Sequence, residues 1–221
     1  RQDDFVLAPA NYRAAKSVLR ESLDVVRRLW RGEAVSFPGP VEGEPVTLRT
    51  LPRPVQPELP CWITAAGSPD TFRLAGESGA NVLTHLLGQT VEEVANSIRL
   101  YRDAWQKAGH PGDGHVTLMV HTFIADDMSV VDAHVRGPLR SYLRSSADLI
   151  RKLSAGSDRE ALLDRSVDRY LHTSALLGTP ATCEAMVQRL RDAGVDEIAC
   201  LIDFGVPADV VLEHLPKIAA L

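Results

Sequence analysis

Residues 60–75, PCWITAAGSPDTFRLA, decide the fold class of this chain. Residues 61–66 are a short apolar run with strand-forming side chains. Ser68-Pro69-Asp70 is a helix start: a hydroxyl at the cap, proline at the first helical position and an acid in the first turn. A strand that turns through Gly67 and Ser68 into a helix N-terminus is the front of a βα unit. Such a corner also suits an anion. Gly67 admits close approach, Ser68 and Thr71 offer hydroxyls one turn apart, and the first helical amides point at whatever sits there. Ser68 and Thr71 are the candidate phosphate ligands. The competing reading is that Ser68 only caps its own helix. Asp70 must in either case turn its carboxylate away from a phosphate.

The same alternation continues downstream. Residues 81–87 form a second apolar run, followed by Thr90-Val91-Glu92-Glu93, a capping box that opens a helix with Val91, Val94, Ala95, Ile98 and Trp105 on one face. Residues 116–125 are a third strand, apolar enough to be covered on both faces. A helical region then starts near Ser129, is expected to break or kink at Gly137-Pro138, and resumes to about residue 153, where SAGSD makes a loop. A helix over 160–171 and another from Thr179-Pro180 to Gly194 precede the fourth strand, 197–204, and a short helix from Ala208 ends the chain. Upstream, the apolar positions Val18, Leu19, Leu23, Val26, Leu29 and Trp30 mark an amphipathic helix over 12–31, stopped by Gly32. Between 33 and 60 lie seven prolines and two short β-type runs, 35–37 and 46–48, read as an excursion with a hairpin.

Strands alternating with helices predict parallel βαβ units, hence an α/β class. Four strands are half of an eight-stranded barrel, whose usual size is ~250 residues. With 221 residues and 45% hydrophobic side chains, one domain spanning 1–221 is expected, with residues 128–180 as a helical insertion before the last βα unit. The net charge of −5 comes from interspersed acids and bases, so no basic stripe suits nucleic acid. No apolar run nears the ~20 residues of a membrane span, and RQDDFVLAP lacks the apolar core of a signal peptide. A soluble, cytoplasmic protein is expected. Cys61 and Cys200 fall in apolar runs and are expected to be reduced, buried thiols. Cys183 is weighed as slightly activated against inert.

Ligands of α/β sheets collect at the C-terminal ends of the strands, here 65–71, 84–89, 123–127 and 203–207. His85, at the end of the second strand, could face such a pocket and hydrogen-bond a cofactor or substrate, or could simply pack. His121 lies mid-strand, with its direction open. The absence of HxH, HExxH and CxxC patterns argues against a metal site. GxSxG, Walker A and GxGxxG runs are also absent, and no covalent nucleophile stands out.

These residues resemble a known family. RRLWRGEAVSF, then LPRPVQPELPCWITAAGSPDTFRLAGESGANVL, are similar to the central signature of bacterial luciferase-like, flavin-dependent monooxygenases: a helix ending in W-x-G-E, a loop through PRPVQP, and the next strand. HVTLMVHTFIADD resembles the seventh strand, and LLGTPATCEAMVQRLRDAGVDEIACLI the final helix and eighth strand. THLLGQTVEE looks closest to members acting in polyketide and nonribosomal peptide biosynthesis.

The resemblance implies a (β/α)8 TIM barrel of which this chain corresponds to strands five to eight. It implies reduced FMN as cosubstrate, a separate flavin reductase, molecular oxygen, and a small or carrier-protein-bound substrate, with homodimerisation open. F420-dependent hydride transfer and a non-catalytic flavin-binding homologue are the alternatives. By the same resemblance Gly67, Ser68 and Thr71 hold the cofactor phosphate, and Ala66 and His85, from their places at the strand ends, complete the candidate cofactor-binding residues. The family's catalytic histidine lies in its first four strands, so no catalytic residue is assigned here, and the isolated segment is expected to expose two unpaired barrel edges.

Overall fold

The computed structural model describes residues 5–145 and 159–221; the expected end of the helix at 146–153 and the SAGSD loop lie outside them. The chain divides into two compact units, Arg1–Cys61 and Trp62–Leu221.

In the first unit, α1 (Asn11–Trp30) is followed by an antiparallel hairpin of β1 (Val35–Phe37) and β2 (Val46–Leu48), with Ser36 and Thr47 hydroxyls 2.8 Å apart across the pair. The W-x-G-E residues build the turn after α1. Gly32 takes φ +79°, the left-handed conformation that ends a helix cheaply only for glycine. Trp30 donates its indole N–H to the Gln56 carbonyl at 2.9 Å, and Thr50 donates to the Leu29 carbonyl at 2.8 Å. Glu33 accepts from Arg28 and Arg31, each at 3.0 Å. Trp30 thus holds the PRPVQP return loop, and Thr50 the residues just before it, to the end of α1.

In the second unit, β3 (Trp62–Thr64), β4 (Asn81–His85) and β5 (Val116–Ile124) are parallel neighbours, and β7 (Glu197–Leu201) pairs with β5 along Thr117–His121. A short strand not anticipated from the sequence, β6 (Leu176–Gly178), pairs with Thr122–Ile124 at the C-terminal end of β5. The connections are α2 (Pro69–Glu77), α3 (Val91–Lys107), α4 (Met128–Ser145) with α5 (Arg159–Thr173), and α6 (Pro180–Asp192); α7 (Ala208–Ala219) closes the chain. The expected α/β class and parallel order are present, and among the described residues β3 and β7 are each paired on one side only.

The register separates two faces. Ile63, Val82, Thr84, Val116, Leu118 and Val120 point one way and are buried, with α2 packed on β3 and β4. Trp62, Thr64, Leu83, His85, Met119, Ala199 and Leu201 point the other way and are half-buried or exposed. The upper part of that second face is covered: His121 and Phe123 are buried in a core formed with α4, α5 and the loop carrying Phe204.

Several expectations are corrected. The helix runs through Gly137-Pro138 as α4 because Val131, Val135, Leu139 and Leu143, spaced by four, are all fully buried against α5. That apolar stripe outweighs the hydrogen bond that Pro138 removes. Cys61 is half-buried and Cys200 is exposed, so an apolar local run did not bury either thiol. Cys183 is buried, and burial pushes its thiol up to about 11, which makes it inert.

Gly76 marks the tightest contact between helices. A Cβ there would stand 2.4 Å from the Tyr101 carbonyl oxygen and 2.8 Å from the Trp105 nitrogen, both backbone atoms of α3. Alanine gains ~1 kcal/mol in helix propensity, but forcing α2 off α3 costs ~1–3 kcal/mol. Gly76→Ala is therefore expected to lower the thermal midpoint. An unchanged or raised midpoint would contradict this packing.

Candidate functional site

The corner after β3 has the shape expected of a βα turn. Gly67 adopts φ +79° and α2 begins at Pro69 with Ser68 in the cap position. Ser68 has the extended backbone of an N-cap, yet its hydroxyl makes no capping hydrogen bond. Neither Ser68 nor Thr71 has a side-chain partner among the described residues, and both are half-buried. Asp70 is engaged sideways by Arg73, at 2.9 Å, so its carboxylate is drawn along the helix flank. The corner thus presents two uncommitted hydroxyls beside the first amides of α2, with Ala66 exposed next to them.

Gln89 connects this corner to His85. It sits in the turn before α3, whose start is fixed by the capping box: Thr90 accepts from the Glu93 amide and Glu93 accepts from the Thr90 amide. From there the Gln89 side chain donates to the His85 carbonyl at 2.7 Å and lies against Gly67, where a built Cβ would meet its Oε1 at 3.3 Å. His85 is the last residue of β4. Its Nδ1 is buried without a partner, and burial holds the imidazole below its ordinary value.

His121 is on the same face of the sheet as His85, one strand over and further toward the C-terminal end. It is 1% exposed. Its Nδ1 is 2.8 Å from the Tyr170 hydroxyl, and its ring stands edge-on to Tyr142, Tyr170 and Phe204 at centroid distances of 4.5, 5.4 and 5.1 Å. Burial, and then His85 nearby, pushes His121 down to about 4, so the ring is neutral at ordinary pH. Burial keeps the Tyr170 phenol protonated. Whichever of the pair donates, the ring Nε2 is buried without a partner among the described residues. A cleft of ≈ 260 Å³ lies beside this pair, with Leu86, Gln89 and Thr90 on one wall and Leu143, Arg169 and Tyr170 on the other.

The structure therefore brings together Gly67, Ser68 and Thr71 around one turn and ties His85 to that turn through Gln89. Tyr170 and Gln89 were not singled out from the sequence. Gln89 lies inside a strand-end segment that drew attention, whereas Tyr170 sits on an insertion helix whose approach to β5 has no local signature.

The sequence profile of the family described as luciferase-like monooxygenase matches residues 2–197. The chain is 31% identical over 118 residues to the oxygenase component of flavin-dependent trigonelline monooxygenase from Acinetobacter baylyi, covering 53% of this chain and 31% of that protein. It is 31% identical over 100 residues to an uncharacterized protein of Mycobacterium tuberculosis, covering 44% of this chain and 33% of that one. The matched stretches are thus about a third of these relatives' lengths. Among solved structures, monooxygenase RslO1 from Streptomyces bottropensis superposes with TM-score 0.70 at 23% identity, covering 99% of this chain and 64% of that one. An F420-dependent secondary alcohol dehydrogenase superposes with TM-score 0.61 at 17% identity, covering 94% and 63%. At these identities the structures establish a shared luciferase-like barrel fold, of which this chain covers a part. Among the described residues no helix is long and apolar enough to cross a membrane.

Folding holds His121 neutral down to about pH 4, while the unfolded ring titrates near 6.5. The unfolded chain therefore takes up the proton first as pH falls. The stability linked to this ring is complete above pH 6.5 and is lost as pH falls toward 4, about 3 kcal/mol across the window. In thermal melts from pH 7.5 to 4, His121→Phe is expected to flatten the acid limb, leaving the smaller part that His85 contributes. An acid limb identical to that of the parent would contradict the buried neutral histidine.

Proposed function

Because the chain belongs to the luciferase-like monooxygenase family, we propose that the whole protein is an FMN-dependent monooxygenase that uses reduced FMN and molecular oxygen to oxygenate a natural-product intermediate. The observation that carries the cofactor site is the partnerless Ser68 and Thr71 hydroxyl pair at a glycine turn on the N-terminus of α2. Donors that cap nothing in the protein suit an external acceptor, and a phosphate monoester is one. The residues fit the group: Gly67 leaves room, Asp70 is held aside by Arg73, and both hydroxyls flank the helix start.

Reduced flavin would supply the two electrons that oxygen chemistry needs; this chain would bind, orient and shield. The Ser68 and Thr71 hydroxyls and the Gly67 amide, at the positive end of α2, would anchor the phosphate. His85, on the face that lines a barrel interior, would meet the cofactor or substrate as a neutral hydrogen-bonding group. The aromatic cover of Tyr142, Tyr170 and Phe204 excludes water from His121. The first half of the barrel would cover the exposed inner face and bring the reactive histidine. A separate flavin reductase is the proposed partner, supported by the A. baylyi relative being named an oxygenase component. The substrate proposed is a polyketide or nonribosomal peptide intermediate, free or on a carrier protein. The rival cofactor is F420, carried by one of the similar folds; titrating the whole protein with each cofactor separates the two.

Ser68→Ala and Thr71→Val are each expected to weaken FMN binding about tenfold, the worth of one charge-assisted hydrogen bond. Riboflavin, which lacks the phosphate, should bind them as it binds the parent. Ser68→Ala should leave the thermal midpoint nearly unchanged. A loss of ~1 kcal/mol of stability with unaltered FMN affinity would assign Ser68 to helix capping instead.

A further inference from the structure

We propose that Gln89 is a cofactor-positioning residue that accepts a hydrogen bond from a hydroxyl of the cofactor's polyol chain, the segment between the phosphate and the ring. The inference rests on the phosphate reading of the Gly67 corner and adds to it a contact that the phosphate cannot make.

The carboxamide is oriented by chemistry. Its nitrogen lies 2.7 Å from the His85 carbonyl oxygen and 3.5 Å from the Thr84 hydroxyl. Placing the amide oxygen there would set it against another acceptor, so Oε1 points the other way. On that side it is buried and has no hydrogen-bond partner among the described residues. The side chain lies against the Gly67 turn: a Cβ built on Gly67 would meet Oε1 at 3.3 Å, Cδ at 3.5 Å and Cγ at 3.6 Å. Gly67 has φ +79°, so this position is shaped for a residue without a side chain. Oε1 is therefore an acceptor without a donor, held against the turn that precedes Ser68.

A buried acceptor left unpaired carries its desolvation penalty uncompensated and calls for a donor. A phosphate dianion offers only acceptors and would be repelled. A polyol hydroxyl is a donor, and it is chemically adjacent to the phosphate, so a chain anchored at Ser68 and Thr71 carries its hydroxyls past Gly67. The other end of the same carboxamide holds the end of β4, where His85 is. Gln89 thus ties the height of the chain above the sheet to the end of β4.

Three probes differing by one part each separate the contributions in the whole protein: FMN, riboflavin without the phosphate, and lumiflavin without polyol or phosphate. Gln89→Leu and Gln89→Met are expected to weaken FMN and riboflavin by roughly three- to tenfold, one neutral hydrogen bond, and to leave lumiflavin unchanged. Thermal midpoints report whether each variant folds, and Gln89→Met keeps the length of the side chain. Equal losses for all three flavins, or none for riboflavin, would overturn the assignment. Failure of the phosphate reading shows separately, as parent protein that binds FMN no better than riboflavin, and overturns this inference with it.

Discussion

Hydrogen bonding on both edges of β5 is the constraint from which the second unit is organised. Thr117, Leu118 and Met119 are each paired to β4 on one side and β7 on the other, and the strand is buried along nearly its whole length. Side chains alternate along a strand, so this register alone assigns every neighbour to a face. It sends Thr84, Leu118 and Val120 under the helices and His85, Met119 and His121 to the opposite side. A slip by one residue would exchange the histidines with the aliphatic core, which the burial of Val82, Leu118 and Val120 at 0% exposure forbids. The site is in this sense a by-product of register: two histidines reach one face because the aliphatic residues between them must reach the other.

Much of the fold was legible because the signals were local. Ser68-Pro69 marked the start of α2 and Thr90 to Glu93 the start of α3, each through side chains acting within one turn. The four expected strands are present with shorter ends. Where the reading failed, distant contacts decided. Leu176–Gly178 is a strand because the end of β5 offers it partners, and three residues before Thr179-Pro180 carry no period of their own. Gly137-Pro138 looked like a break, but the four-residue stripe packed on α5 keeps α4 whole. Cys200 lies in an apolar run and is exposed: no residue of β7 is fully buried, although Cys200 is in register with the buried Val120.

The site was legible in its first half. Gly67, Ser68 and Thr71 follow from the rule that a strand turning into a helix leaves amides and hydroxyls at one point, and the structure adds that Ser68 does not spend its hydroxyl on its own helix. The W-x-G-E and PRPVQP residues, which carry the family resemblance most visibly, have structural roles: Trp30 bonds the return loop at Gln56, Gly32 ends α1, and Glu33 bonds Arg28 and Arg31. The second half was not legible. Gln89 bonds a backbone atom four residues away, and Tyr170 meets His121 across 49 positions. Their importance lies in an atom left without a partner, which a sequence does not display.

The central claim is that the N-terminus of α2 holds a cofactor phosphate as its dianion. Phosphorus NMR of FMN bound to the whole protein tests this directly, because a free phosphate monoester takes up its second proton near pH 6. The account predicts a bound signal that stays at the dianion position from pH 8 to pH 5, since the helix end and two hydroxyl donors favour the doubly charged form. A bound signal that titrates together with free FMN would contradict it.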